Sequence, residues 1–587
     1  MAVYTRPGVY VQETLNPIAP VTGSTSTAIA AFVGASDRGP TTPTLITSWS
    51  QYVSYFGGWN GVLTSTPASN NLAIAVYLYF ANGGSQAYVS RVTGTTTLAT
   101  VTAASANAGV VTYTANNTFA TNQLVSITGL STAAFNLTGV TIATATSTQF
   151  TVSNAATGTA VTGASAVATA TTGAAGTASR TLTDRAGSPL STVILYAKNA
   201  GAWGNQLNVT ISDSLATGYV TVAVYLGGNS AGNIVEQWTD VTMKSTDPRY
   251  LVTVINQNSN YITATDLNSS SSTPNNNPSN IVNQAFTGGT DNNNLTAAAI
   301  GSSLSNFDTV LNSLILNVPG YTDAATVNAA ISYATGTTRT SDVFVIVDGV
   351  NDTPANQLTL ASSYTASAFA AVYYPQITIS DPTAAVGSPS GATKTVGAGG
   401  AVAGLYAKTD SSRGVFKAPA GLQARLAGAV SVPSISPTDL GNLNSASAPV
   451  NAIRYIPGSG IVVMGARTLN TSYVTKYVPT RRSLTYIEKS LSDLTQFAMF
   501  EPNDYRLWGR ITAECTNFLN SFWQQGGLFG KTPQAAFFVK CDGETNPQAS
   551  IDNGYVNIQV GVSLQRPAEF VIINIGQFNG GTTVTTA

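Results

Sequence analysis

Apolar residues recur along this chain with two different periods, and the changes of period mark out its elements. Near the end, Leu484, Ile487, Leu491, Leu494 and Phe497 follow Arg481-Arg482-Ser483 at steps of three and four. That is the spacing of a helix with one buried face. Glu501-Pro502-Asn503 stops it, because proline cannot continue a helix and biases the residue before it away from one. Asn503 or Asp504 then caps a second helix, in which Leu507, Trp508, Ile511, Cys515, Phe518, Leu519, Phe522 and Trp523 share one stripe. Gly526-Gly527 closes it with a left-handed cap. Strand-like runs follow at 535–541, 555–564 and 569–575, so the last third predicts two helices on three strands.

Earlier, strand and helix patterns alternate. Residues 28–34 and 87–92 predict buried strands, and 49–56 and 70–80 predict helices. The alternation resumes with strands at 314–318, 343–348 and 376–380 and helices at 324–334 and 357–373. Such alternation implies a parallel sheet, shared by 28–92 and 286–382. The glycine-rich 387–404 is expected to link it to the C-terminal unit. Between Arg91 and Arg180 there is no charged residue and no proline; short Thr/Val/Ala runs at 109–114, 124–128, 140–144 and 149–153 predict a small β-sandwich carried on a surface loop. A second β-rich region, with strands at 207–211, 220–225 and 251–254, ends in a Ser/Asn/Pro linker at 268–280. At the start, a strand-like stretch between Pro7 and Pro17 has no neighbour to pair with, so it is either frayed or given to another sheet.

The expected fold is therefore a multidomain α/β plus β protein. An α/β domain at 21–92 and 286–390 is interrupted by a β-sandwich-like insert at 93–180 and a β-rich domain at 181–285. A C-terminal α+β domain covers 391–578, and short segments at 1–20 and 579–587 flank the whole. At 587 residues, several domains are the natural expectation.

Composition narrows the function. Charged residues make up only 9% of the chain and the net charge is −1, which gives no electrostatic case for nucleic acid or an acidic membrane. So few charges suit a subunit that buries much of its surface in an assembly; the same composition also fits a Thr/Ser-rich extracellular protein. No apolar run is long enough to span a bilayer. The first residues lack the apolar core of a signal peptide, so a product made without the secretory route is expected. Histidine is absent, which removes Ser-His-Asp and Cys-His mechanisms and the common zinc sites. Cys515 and Cys541 make neither a metal site nor a disulfide framework and are expected as buried free thiols. Gly526 to Thr532 looks like a phosphate-binding loop, but its first glycine is one residue too close to Gly530-Lys531-Thr532, and it follows a helix instead of preceding one. Asp291 in 290–294 lacks the downstream carboxylates of a calcium loop. No catalytic residue, cofactor or metal is assigned.

Sixteen of the 25 Lys and Arg residues fall after residue 390. Arg481, Arg482, Glu488, Lys489 and Asp493 on the first C-terminal helix form either a solvated face or polar contacts to other subunits and to a tube.

Several short motifs carry a resemblance. Pro7-Gly8-Val9-Tyr10-Val11-Gln12-Glu13, Ala202 to Leu207, Ala407-Lys408-Thr409-Asp410 with Arg413-Gly414-Val415, and Lys417 to Gly421 occur in order. Asn451 to Arg454, Gly465 to Leu469, Arg481-Arg482, Phe500 to Asn503 and Arg566-Pro567-Ala568-Glu569-Phe570 complete the series. The ordered set resembles contractile phage tail sheath proteins; 93–180 lies outside it. The resemblance implies a subtilisin-like α/β core without protease activity. It implies hexameric rings stacked helically around a tail tube, with baseplate and tail terminator proteins as further partners, assembly in the host cytoplasm and a place in the phage tail. No nucleic acid or membrane insertion is expected. It also implies that Val9, Tyr10, Val11, Gln12 and Glu13, and Phe578, Thr582, Thr583 and Val584, are strands exchanged with neighbouring subunits. The sheath of a phage-like injection device (tailocin or secretion type) shares these features. A glycan-binding surface protein is the remaining alternative.

Overall fold

The strand Val343–Asp348 is apolar at every position until its last, so it must be covered on both faces. In the computed structural model, which describes residues 26–59 and 71–569 apart from 94–97, 108, 118, 120–123, 138–139, 155–156, 162–167, 173–174, 229, 291–294, 337–338, 340–341 and 385–390, it lies within an eight-stranded sheet. The order is Thr44–Ile46, Ala87–Arg91, Ala30–Gly34, Leu314–Asn317, Val343–Asp348, Ala370–Tyr374, Val450–Ile456 and Gly460–Val463. The six inner strands are parallel, with Ala30 opposite Ile315 and Leu314 opposite Val343, and the outermost two run antiparallel to their neighbours. Helices Asn71–Ala81 and Gly399–Arg413 cover one face. Ala297–Leu304, Ala324–Thr335, Pro354–Ser362 and Pro437–Ser445 cover the other. Residues from both sides of the β-rich insertions thus share one sheet.

Several expectations change. The helix expected over 357–373 ends at Ser362, and Ala370–Tyr374 is a fully buried strand beside Val343–Asp348. Its apolar run has no helical period, and aromatic and branched residues suit a strand covered on both faces. The described part of the glycine-rich stretch expected as a linker is not one: Thr393–Val396 is a strand and residues 399–404 open the Gly399–Arg413 helix. A Cβ at Gly400 would stand 2.3 Å from the Ala75 carbonyl oxygen, and one at Gly404 2.4 Å from that of Tyr79, so these glycines let two helices touch backbone to backbone. The C-terminal unit therefore does not begin at 391: residues 399–413 and 450–463 belong to the α/β layer.

The insert is not a sandwich. Strands Ala168–Thr172, Leu124–Thr128, Val140–Ala145, Gln149–Ser153, Val110–Ala115, Leu98–Asn107 and Gly158–Val161 form one seven-stranded antiparallel sheet, and Ala168–Thr172 also pairs with Leu98–Asn107, closing a small barrel. Inward Val101, Tyr113, Ile127, Phe135, Ile142, Phe150 and Val152 fill it, and the Tyr113 hydroxyl donates to the Phe135 carbonyl at 2.9 Å. Alternation alone does not separate a sandwich from a barrel, because both need one inward face.

The following module packs a three-stranded and a four-stranded antiparallel sheet around one core. Residues 251–254 open the helix Leu251–Asn258, not a strand; Leu251, Val254 and Ile255 are buried at helical spacing. The expected linker at 268–280 is a packed loop. Asn277, buried, accepts from the Met243 amide at 2.7 Å and donates to the Gly218 carbonyl at 2.7 Å, and Ile281–Ala285 rejoins the four-stranded sheet. Arg38 couples this module to the α/β layer. Its guanidinium lies 4.3 Å from the Tyr261 ring centroid and donates to the Val53 and Ser54 carbonyls.

Candidate assembly surface

The C-terminal unit is built on two helices and one strand pair. Pro479, whose missing amide costs nothing in a first turn, opens Val478–Leu494. Asp504 caps Tyr505–Gln524 by accepting from the amides of Arg506 (2.9 Å) and Leu507 (3.0 Å). Leu507, Ile511, Cys515, Leu519 and Phe522 are its buried stripe. Gly526, at φ 87°, ends it as the glycine pair predicts. Phe537–Lys540 and Gln559–Val562 pair antiparallel against these helices.

That strand pair is the only sheet of this unit among the described residues. Among the described residues the sheet stops at two strands, and no residue of Gln559–Val562 is fully buried. The third expected strand, 569–575, lies outside the described residues apart from Glu569. A groove of about 490 Å³ runs beside the pair, between Val474, Thr480, Phe529 and residues 562–566. Tyr473, Met499, Phe500, Tyr505, Phe529, Phe538 and Tyr555 are all exposed on this unit. Phe529 at this groove and Phe538 on the pair are exposed apolar side chains of the kind that suit contact with another chain.

The expected contact residues divide. Arg481 and Arg482 are buried and turn inward, which corrects the solvated-face alternative for these two. Arg481 pairs with Glu488 at 2.6 Å, and its guanidinium lies 4.6 Å from the Phe369 ring centroid; burial pulls its pKa below the usual arginine value. Arg482 forms a two-pronged pair with Asp410, at 2.9 and 2.6 Å. Glu488 keeps half its side chain in solvent, and Lys489 and Asp493 pair along the helix at 3.1 Å. Val9, Tyr10, Val11, Gln12, Glu13, Phe578, Thr582, Thr583 and Val584 lie outside the described residues.

A second fork involves residues given no role from sequence. Arg467 donates from Nε and Nη2 to Glu569 at 2.7 and 2.5 Å, and the Tyr477 hydroxyl donates to the same carboxylate at 3.1 Å. Burial works against the Glu569 charge, but the Arg467 hydrogen bonds and positive charge outweigh it and hold the carboxyl below the usual glutamate range. Asp410, Arg467, Arg482 and Glu569 each sit in a motif of the resemblance, and space brings these motifs together in two pairs.

Other candidates have structural uses. Asp348 is buried, and its carboxylate accepts from the amides of Gly399 (2.6 Å) and Gly320 (3.1 Å), holding the start of the central helix. Cys515 and Cys541 are free and buried, and burial first, then the neighbouring Cys541, pushes the Cys515 thiol up to about 11. The segment around Gly530 follows a helix and leads into a single turn at Pro533–Ala536, so its amides converge on no phosphate cradle. Among the described residues no cluster of three or more metal-binding side chains occurs, and no helix is long and apolar enough to cross a membrane.

Comparison with known proteins follows the same lines. Residues 472–578 match the family described as the phage tail sheath C-terminal domain. The contracted sheath complex of an extracellular contractile injection system, PVC, matches over 98% of this chain and 99% of its own, with 20% identity and a TM-score of 0.51. The contracted helical sheath of the anti-feeding prophage, AFP, matches over 98% and 100%, with 20% identity and a TM-score of 0.50. The sheath tail protein of Listeria innocua matches over 92% and 96%, with 12% identity and a TM-score of 0.53. At these identities the likeness is one of fold. No curated protein matches the chain.

Proposed function

We propose that this chain is a member of the contractile tail sheath family, the repeating subunit of a sheath that polymerises around a tube and drives it through a cell envelope by contracting. The observation that carries the reading is the match at 472–578, which falls on the unit with the strand pair Phe537–Lys540 and Gln559–Val562. The physics is strand addition: unpaired backbone groups on a sheet edge find partners in another chain, and the resulting links bend at hinges without breaking. Residues 9–13 and 578–584 are the donated strands.

Six subunits per ring, a tail tube and a terminator complete the proposal, and a baseplate is a partner by analogy with the AFP baseplate structure that this chain also resembles. The α/β layer is read as a subtilisin-like core put to structural use. Contraction draws on conformational energy stored at assembly. A difference of a few kcal/mol per subunit becomes large over about a hundred subunits, so no nucleotide is needed. The likeness to PVC and AFP sheaths favours a second reading, a phage-like injection device; co-purification with a capsid separates the two.

Negative-stain electron microscopy of the full chain beside one lacking residues 1–15 tests the function. Hollow cylinders from the full chain only support it. Cylinders of unchanged number and length from the truncated chain would remove the N-terminal arm from the account.

A further inference from the structure

Both ends of the described chain meet the body at an arginine–carboxylate fork. At the N-terminal end, Arg482 Nη2 donates to the Thr27 carbonyl at 2.8 Å as well as to Asp410, and the Thr27 hydroxyl donates to the same carboxylate at 2.7 Å. At the C-terminal end, Arg467 holds Glu569, and its Nη1 donates to the Asn444 carbonyl at 2.6 Å. Planar two-pronged pairs of this kind fix direction as well as distance.

The two forks are joined by a short, hydrogen-bonded path. Arg467 forms an antiparallel bridge with Tyr477, whose hydroxyl also holds Glu569. Tyr477 directly precedes the Val478–Leu494 helix, and its carbonyl accepts from the Arg481 amide at 3.1 Å, next to Arg482. Thr480 adds a contact to the Gln565 carbonyl at 3.2 Å, four residues before Glu569. One stretch, 467–482, therefore grips the chain at Thr27 and again at 565–569, although these positions stand at opposite ends of the sequence.

We propose that residues 467–482 are a common anchor for the two terminal arms, so that tension on one arm passes to the other across a single small block of the subunit. The inference rests on the arm-exchange reading above for its use in a sheath, but the coupling itself belongs to the isolated chain. In a polymer linked by both arms, such a block lets force run from neighbour to neighbour while the α/β layer and the barrel are carried as rigid bodies. Arg467, Arg482, Asp410, Glu569 and Tyr477 are positioning residues in this scheme.

Hydrogen–deuterium exchange on the full-length, unassembled chain tests it. In Glu569→Gln, exchange of residues 564–569 is expected to rise about tenfold, the scale of losing a charge-assisted pair, and the peptide covering 26–32 is expected to rise with it. The charge-swapped double variant Arg467→Glu with Glu569→Arg is expected to restore protection at both ends. If Glu569→Gln does not fold, Tyr477→Phe, which removes only the hydroxyl, is measured for a smaller rise at both ends. A rise confined to 564–569, or no rise at either end, overturns the proposal. Failure of the unaltered chain to form sheaths would count against the function and leave this coupling result standing.

Discussion

Replacing Asp410 by asparagine keeps the shape of the Arg482 fork and removes its charge. The two side chains are only 6% and 4% exposed, so the guanidinium would be left in the interior with the Thr27 carbonyl and the Tyr406 ring, 4.8 Å away, as its remaining partners. Stranding a buried charge costs roughly 3–5 kcal/mol. The same change at Glu488 should cost less, because its side chain is 47% exposed and water screens its side of the pair with Arg481. Urea unfolding of Asp410→Asn and Glu488→Gln, followed by circular dichroism, gives the comparison directly. Arg482→Met combined with Asp410→Leu should recover much of the loss, since removing both charges leaves nothing stranded. The reasoning is refuted if Asp410→Asn shifts stability no more than Glu488→Gln does.

Other outcomes follow from single contacts. Gly404→Val should destabilise the α/β layer by about 1–3 kcal/mol, because the new side chain meets the Tyr79 carbonyl, and a lowered urea midpoint checks it. Replacing 98–172 by a short linker should leave the unfolding of the remaining domains and the formation of cylinders unchanged, provided Ala178, buried in the neighbouring core, is kept; loss of cylinders would give the barrel an assembly role. The carboxyl of Glu569 has a folded pKa below its unfolded value of about 4.3, so its fork contributes stability above that pH and loses it as pH falls through the folded value. Protection factors at 564–569, in which the intrinsic pH dependence of amide exchange is divided out, should therefore fall on acidification in the unaltered chain and stay flat over the same range in Glu569→Gln.

Periodicity was informative where one face of an element is buried. The stripe from Leu507 to Phe522, the Asp504 cap and the helix Trp49–Phe56 are each visible in it. It was uninformative where burial is complete. Ala370–Tyr374 shows no period because both its faces are covered, and the Gly399–Arg413 helix looks like a linker because its glycines serve contact with Ala75 and Tyr79. The 251–254 segment looks like a strand because β-branched residues favour strands by propensity, whereas its packing at Leu251, Val254 and Ile255 is helical. At the candidate site, the Arg481-Arg482 pair was legible as a motif, but its inward direction was not. Charge on an amphipathic helix suggests solvent until the partner, here Asp410 from a distant helix, is placed beside it. The Arg467–Glu569 fork joins residues far apart in sequence, and only the ordered motifs hinted that both mattered.

The central proposal is that subunits are linked by strands added to the pair at Gln559–Val562. It is tested most directly by mixing two full-length chains, one carrying Val11→Cys and the other Val560→Cys, and oxidising the assembled cylinders. Native Cys515 and Cys541 are buried and stay out of the reaction. Covalent dimers that form only in the mixed cylinders, and dissolve on reduction, are the predicted result. Mixed cylinders that give no dimers, while a chain carrying both cysteines closes only on itself, would contradict the account.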